Sequence, residues 1–344
     1  MSVPECYIVT GGGGFIGSGL CAELALRRPD AEIVVVDDFR SGSYANLVDM
    51  HEYRGIGPFV GEVIPASIEE IDFTELFVAK RPSAVFHMGA ITDTTVDDER
   101  AMLEVNSETF GPMLETCIEA ETPLVYASSA ATYGTPPQAG EHTPFPVSAA
   151  GRPNNVYGFS KWLMEALHRR LTTARPDAHV VGLRFFNVFG PGEARKGKMA
   201  SMPYQLAQRM LAGDRPRLFS HGEQQRDQVW VGDVIDCCLH AAGMGGRGPG
   251  QITPGVYNLG SGRPTSFNDI VEALREGMGI TEAESQIEYF EMPASVRAFY
   301  QDFTLADMSE TKSGLGWSPP SDPPQRIAEY GRWLAGRAPA GATA

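Results

Sequence analysis

Basic residues are scarce in this 344-residue chain: 28 Lys and Arg against 43 Asp and Glu leave a formal charge of −15. So acidic a surface repels DNA, RNA and anionic membrane faces, so no nucleic-acid or membrane partner is expected and any phosphate ligand must meet a local site. Cysteine is sparse too. The five, Cys6, Cys21, Cys117, Cys237 and Cys238, lie in apolar segments without a CxxC pair or framework spacing. They read as small buried hydrophobes in a reducing compartment rather than as a disulfide scaffold. No apolar run reaches the roughly 18 residues that a membrane span requires. Residues 1–5 lack the basic flank of a signal peptide, and the expected location is the cytoplasm. His51, His142, His168, His179, His221 and His240 show no metal-ligand spacing, so no metal is expected.

What is present is alternation. Short β-branched runs at 7–9, 33–36, 84–87, 124–127 and 180–185 are separated by helix-period segments near 15–28, 68–80, 97–121 and 155–174. Strands apolar on both faces, joined through helices, form a parallel sheet covered on each side. Right-handed crossovers then give an α/β, doubly wound (Rossmann) sheet. After 187 the alternation loosens into a helix near 199–212, strands at 217–219 and 228–231 and a helix near 324–334, which reads as a smaller C-terminal α/β lobe. The expected division is 1–186 plus about 226–260 for the dinucleotide-binding domain, and about 187–225 plus 261–336 for the substrate lobe. Residues 337–344 are rich in Ala, Pro and Gly and read as a frayed, disordered tail.

The first strand feeds into Thr10-Gly11-Gly12-Gly13-Gly14-Phe15-Ile16-Gly17, which fits GxxGxxG through Gly11, Gly14 and Gly17. Gly11 permits a tight turn, Gly14 lets the backbone approach a pyrophosphate, and Gly17 lets the helix pack on the strand. Phe15 and Ile16 open that helix, whose N-terminus supplies amide donors and positive dipole. Asp37, followed by Asp38, closes the second strand where a carboxylate can accept from an adenosine ribose 2′-hydroxyl, which favours NAD. Arg40 can instead pair with a 2′-phosphate, so NADP stays open.

Tyr157-Gly158-Phe159-Ser160-Lys161 opens the predicted fourth helix, and the i to i+4 spacing places Tyr157 and Lys161 on one helical face. A tyrosine of ordinary pKa about 10 is a poor base at neutral pH. An adjacent ammonium and an oxidised nicotinamide favour its phenolate. Ser129, at the end of the 124–127 strand, lies where such sheets place ligands, and its hydroxyl can hold the substrate oxygen that exchanges a proton.

Together these features resemble the extended short-chain dehydrogenase/reductase family. Further matching stretches are His87-Met88-Gly89-Ala90, Asn106, Arg184-Phe185-Phe186-Asn187-Val188-Phe189-Gly190-Pro191, Arg226-Asp227 before Val231-Gly232-Asp233-Val234, and Tyr257-Asn258-Leu259-Gly260-Ser261-Gly262. The resemblance implies a nucleoside-diphosphate sugar as substrate and a homo-oligomer, with the 97–121 and 155–174 helices as contact surfaces. It implies His87, Gly89, Ala90 and Asn106 as further cofactor contacts beside Tyr157 and Lys161. The Asp-Glu pair that a 4,6-dehydratase of this family carries after its catalytic hydroxyl is replaced here by Ala130 and Ala131, which disfavours elimination.

The segment from Asn187 to Ser201 is similar to that of the ADP-L-glycero-D-manno-heptose 6-epimerases, in which NVYGP is followed by His-Lys-Gly-Ser-Met-Ala-Ser. Here the His is Arg195 and the first Ser is Lys198. The resemblance extends to Asn46-Leu47-Val48-Asp49, Thr94-Thr95 and Tyr300-Gln301. It implies Lys196 as a second catalytic residue opposite Tyr157, and Thr94, Ser129, Asn187, Lys198, Gln205, Phe219, Arg226 and Tyr300 as substrate contacts. Inverting a secondary alcohol through a ketone needs hydride to leave one face and return to the other, so a base suited to the first pose is misplaced in the second. Two acid/base groups answer that need. The family's cofactor is usually NADP, read partly by lysines after the second strand, yet residues 38–44 contain none. The expected reaction is epimerisation at C6 of an ADP-linked manno-heptose for lipopolysaccharide core synthesis. The alternatives are a UDP- or GDP-hexose 4-epimerase and a non-catalytic NAD(P)-binding regulator.

Overall fold

The structure, a computed structural model, describes residues 4–93, 98–134, 142–292 and 301–337. Seven parallel strands form the central sheet: β1 (Cys6–Thr10), β2 (Glu32–Val36), β3 (Glu62–Ile64), β4 (Ala84–His87), β5 (Leu124–Ser129), β6 (Val180–Phe185) and β10 (Gly255–Leu259). Their spatial order is β10-β6-β5-β4-β1-β2-β3. The chain runs outward from β1 through β2 to β3, then returns to β4 and continues the other way. That reversal beside β1 is the switch point at which doubly wound sheets open a ligand crevice.

The expected doubly wound sheet is therefore present, with two strands that periodicity does not disclose. β3 is short and largely exposed, and β10 carries the buried Asn258. Side chains such as Val9, Val35, Phe86 and Leu183 pack with helix α1 (Phe15–Arg27) on one face, while Ile8, Val34, Val85 and Tyr126 pack on the other. Strands β1, β2, β4, β5 and β6 thus bury both faces, as their apolar runs require.

Helices depart from expectation where local hydrogen bonding overrides the apolar period. The 68–80 segment splits into a 3-10 turn at Ile68–Glu70 and helix α3 (Phe73–Lys80), because the Asp72 side chain caps the later start by accepting from Glu75 N at 3.0 Å. Helix α2 (Tyr44–Tyr53) precedes them. The 97–121 segment holds α4 (Glu99–Leu103), a π turn at Glu104–Glu108 and α5 (Phe110–Glu119). The wider turn carries Asn106 and Ser107 toward helix α6 (Val156–Thr172), where they bond the Ser160 hydroxyl and carbonyl, each at 3.1 Å.

The smaller lobe holds two short sheets. β7 (Asn187–Phe189), β9 (Gln225–Trp230) and β11 (Pro264–Ser266) form one, and β8 (Arg217–Phe219) with β12 (Glu288–Phe290) the other. Helices α7 (Met202–Leu211), α9 (Phe267–Met278) and α11 (Pro323–Ala335) bury Leu206, Ile270, Leu274, Ile327 and Tyr330 against them. α7 starts later than its apolar period indicates, because Ser201 caps it and Pro203 stands in its first turn. After α10 (Ser309–Leu315) the chain returns to the main core at Trp317, whose indole donates to Asp236 of α8 (Val231–Ala241) at 2.9 Å. Among the described residues no helix is long and apolar enough to cross a membrane.

Candidate active site

A cavity of about 1190 Å³ opens at the carboxyl ends of β1, β4, β5 and β6 and runs between the sheet and the small lobe. Gly11, Gly14, Phe15, Ile16 and Gly17 border it, with Gly89 and Ala90 beside them. A Cβ on Gly17 would stand 2.1 Å from the Gly11 carbonyl oxygen, and one on Gly11, whose φ is +68°, would stand 2.5 Å from Gly89 N. The turn therefore admits no side chain. Gly14 caps α1 without a side-chain acceptor, which leaves first-turn amides at the cavity edge. This cradle of bare backbone and unsatisfied donors fits a dinucleotide pyrophosphate.

Asp37 borders the same end of the cavity, where it accepts from Gly13 N and Phe39 N, each at 2.8 Å. Burial raises its pKa, and those two amides oppose the rise. A carboxylate offers about four acceptor sites, so two remain for hydroxyls. Asp38 and the exposed Arg40 pair with one another at 3.1 Å and also face the cavity.

Ser129, Tyr157 and Lys161 converge on the cavity as a group. Asn155 caps α6 by accepting from Gly158 N at 2.7 Å. Gly158 then lets the helix press on the turn after β5, since a Cβ there would meet the Ala131 oxygen at 2.5 Å. That close approach brings Tyr157 to Ser129. Burial raises the Tyr157 pKa, and the hydrogen bond to Ser129 lowers it. Burial pushes Lys161 down to about 7. The Lys161 charge also reinforces the burial that lowers the His87 pKa to about 3.

Two expected cofactor contacts, His87 and Asn106, lie behind the cavity wall. His87 is buried, stacked on Phe110, with Nδ1 2.7 Å from the Thr10 hydroxyl. The Asn106 amide accepts from Ile91 N at 2.8 Å and donates to Ile91 O at 2.9 Å. It therefore shapes the strand-end loop that borders the cavity at Gly89, Ala90 and Ile91.

Across the cavity stand Asn187, Lys196, Lys198, Gln205, Phe219 and Arg226. Lys196 sits on a 3-10 segment, Ala194–Met199, with its ammonium 5.1 Å above the Phe15 ring. Burial lowers its pKa, and the Glu193 charge raises it. Lys198 pairs with Asp93 at 3.3 Å, and Arg195 with Asp49 at 2.6 Å. Gln205 donates to Ala200 O at 2.7 Å, Asn187 lies 3.4 Å from the Thr304 hydroxyl, and Arg226 donates to Gln225 O at 3.0 Å. Thr94 and Tyr300 lie outside the described residues.

Several residues at or behind this wall carry no motif. Phe290 packs on Phe219 with ring centroids 4.5 Å apart, Arg217 lies 4.6 Å above Phe290, and both border the cavity. Gln228 borders it with a buried side-chain oxygen. Behind Ser129, the buried Glu165 accepts from Arg184 at 2.8 and 2.7 Å and from the Ser128 hydroxyl at 2.6 Å. Glu165 is signalled only by a lone carboxylate on the buried face of an amphipathic helix.

The profile of the NAD dependent epimerase/dehydratase family matches residues 7–260. An ADP-L-glycero-D-manno-heptose-6-epimerase from Helicobacter pylori is 33% identical, with 95% of each chain covered and a TM-score of 0.79. A protein named MoeE5, solved in complex with UDP-glucose and NAD, is 26% identical over 96% of this chain and 98% of its own, at a TM-score of 0.72. The UDP-glucose 4-epimerase of Thermotoga maritima, solved with UDP-glucose, shares the fold at 24% identity, covering 96% and 98% of the two chains with a TM-score of 0.79. Bare glycine turn, Ser129–Tyr157 pair and switch-point crevice thus stand in a chain matched along its length, and the protein belongs to the NAD dependent epimerase/dehydratase family, within the extended short-chain dehydrogenases/reductases.

Proposed function

We propose that the protein is a nucleotide-sugar epimerase that inverts C6 of an ADP-linked manno-heptose, from D-glycero to L-glycero, in the cytoplasm and as a homo-oligomer. The observation that carries this reading is that one cavity is bordered by two acid/base centres on separate elements: Tyr157 with Ser129 on the sheet side, and Lys196 on the loop after β7. The identity to the Helicobacter pylori epimerase, 33% over 95% of the chain, supports the choice of sugar.

A bound nicotinamide dinucleotide, NAD or NADP, supplies a reversible hydride acceptor; the glycine turn, Asp37 and the α1 N-terminus would hold it. Tyr157 takes the proton of the C6 hydroxyl while Ser129 holds that oxygen, and C6 gives up its hydride, leaving a ketone. The ketone turns so that hydride returns to its other face. In that pose the new alkoxide lies away from Tyr157, and Lys196 donates the proton. Hydride and proton are each removed once and returned once, so no net oxidant is consumed. Arg226, Arg195 and Lys198 are the cations suited to the diphosphate, and Asn187 and Gln205 to hydroxyls.

The test incubates purified protein with ADP-D-glycero-D-manno-heptose and no added dinucleotide, with UDP-glucose and GDP-mannose in parallel. The L-glycero product is expected, and Tyr157→Phe should lower its rate by about 10²- to 10⁴-fold. Turnover of a hexose substrate alone moves the assignment to a 4-epimerase. Turnover of none, with dinucleotide bound, moves it to a non-catalytic regulator. Mass spectrometry of the small molecules released on denaturation distinguishes NAD from NADP.

A further inference from the structure

Glu193 is wholly buried yet is not part of the cavity lining, and it uses its acceptor sites on both ends of the loop that carries Lys196. One oxygen accepts from Gly190 N and from the Ser201 hydroxyl, each at 2.9 Å, and the other accepts from Ser201 N at 2.6 Å. Burial first, and then the nearby Glu193 charge, raise the pKa of Tyr330 on α11. The loop so closed contains Gly190, Gly192 and Gly197 at φ of +137°, +101° and +55°. A chain with that many left-handed glycines has little local preference for one path, so its shape must come from outside. A carboxylate taken out of water is costly unless its lone pairs are engaged, and here three donors engage them.

We infer that Glu193 is a positioning residue: its carboxylate clamps residues 190 and 201 together and thereby fixes the Lys196 ammonium beside Phe15 at the cavity wall. This inference rests on the epimerase reading and deepens it, because it assigns to one side chain the placement of the second acid/base group. Its charge also acts on Lys196, opposing the effect of burial there. The neighbouring Arg195 is already engaged by Asp49, and Lys198 by Asp93. Glu193 is the carboxylate that raises the Lys196 pKa.

A double-mutant cycle on the full-length protein decides the matter: wild type, Glu193→Gln, Lys196→Ala and the pair, assayed on ADP-D-glycero-D-manno-heptose. Amide hydrogen exchange over residues 190–201 is followed on the same four proteins. Glu193→Gln should lower kcat by about tenfold or more with KM changed by less than about threefold. In the Lys196→Ala background the same substitution should cost less than about twofold, since the residue it acts through is gone. Exchange in 190–201 should rise by about tenfold in Glu193→Gln and stay at the wild-type rate in Lys196→Ala. Losses that multiply through the cycle, or an unchanged kcat, overturn the inference. Where Glu193→Gln does not fold, Ser201→Ala removes one donor to the carboxylate and enters the same cycle. A wild type inert on this substrate overturns the epimerase reading instead, and exchange in 190–201 no faster in Glu193→Gln would then sink the clamp as well.

Discussion

Lys161 carries its amine into a place with little to welcome a charge, 3.7 Å from the Met164 thioether and almost wholly buried. Burial brings its pKa from the ordinary 10.5 to about 7. Between those values the unfolded chain holds a proton that the folded chain does not, so stability rises as pH rises through that window. Below about 7 both states are protonated and the full penalty applies. Lys161→Met should therefore raise the midpoint of thermal unfolding, by more at pH 6 than at pH 10, while turnover is lost. Calorimetry at the two pH values checks it; a gain independent of pH would show that packing, not charge burial, is responsible. Tyr157, Lys161 and Ser129 were legible because spacing and strand-end position encode them. Glu193 was not, since a carboxylate in a glycine-rich loop reads as a solvated charge until Gly190 and Ser201 are seen to close on it.

At the scale of elements, the junction of β1 and α1 was fully legible, because turn, helix start and strand are all local. Its tolerance is small. Gly17→Ala forces a methyl group to 2.1 Å from the Gly11 oxygen, a separation no side chain tolerates, so the backbone of the turn must move. The expected outcome is protein that purifies without dinucleotide and binds added NAD at least about tenfold more weakly in a titration, because displaced amides no longer converge on the pyrophosphate. The π turn in the 97–121 segment was not legible. An apolar period continues through it, and only its bonds to Ser160 across the helix interface reveal why one more residue is accommodated.

For the molecule as a whole, the buried Glu165–Arg184 pair joins parts far apart in sequence. Arg184 on β6 bonds Glu165 on α6, the Tyr133 hydroxyl at 3.0 Å and the Val147 carbonyl at 2.7 Å, while Ser128 bonds the same glutamate from β5. These bonds hold up the wall on which Ser129 and Tyr157 meet. Arg184→Met should cost about 3–5 kcal/mol in urea unfolding, chiefly by leaving the Glu165 charge uncompensated. Adding Glu165→Gln should recover part of that loss; no recovery would show that the lost bonds to Tyr133 and Val147 dominate.

The amino-acid order alone determined the layered sheet, the glycine turn and the Tyr157–Lys161 register, because each depends on periodicity or fixed offsets within one or two elements. Tertiary structure decided which of the remaining polar groups meet. It drew Asp37 back onto Gly13, withdrew His87 and Asn106 behind the wall, and set Phe290 on Phe219 across two short strands. Such meetings follow from how crossovers bring distant segments together, and burial then selects the pairs that can fill each other's hydrogen bonds, a condition no local pattern of residues expresses.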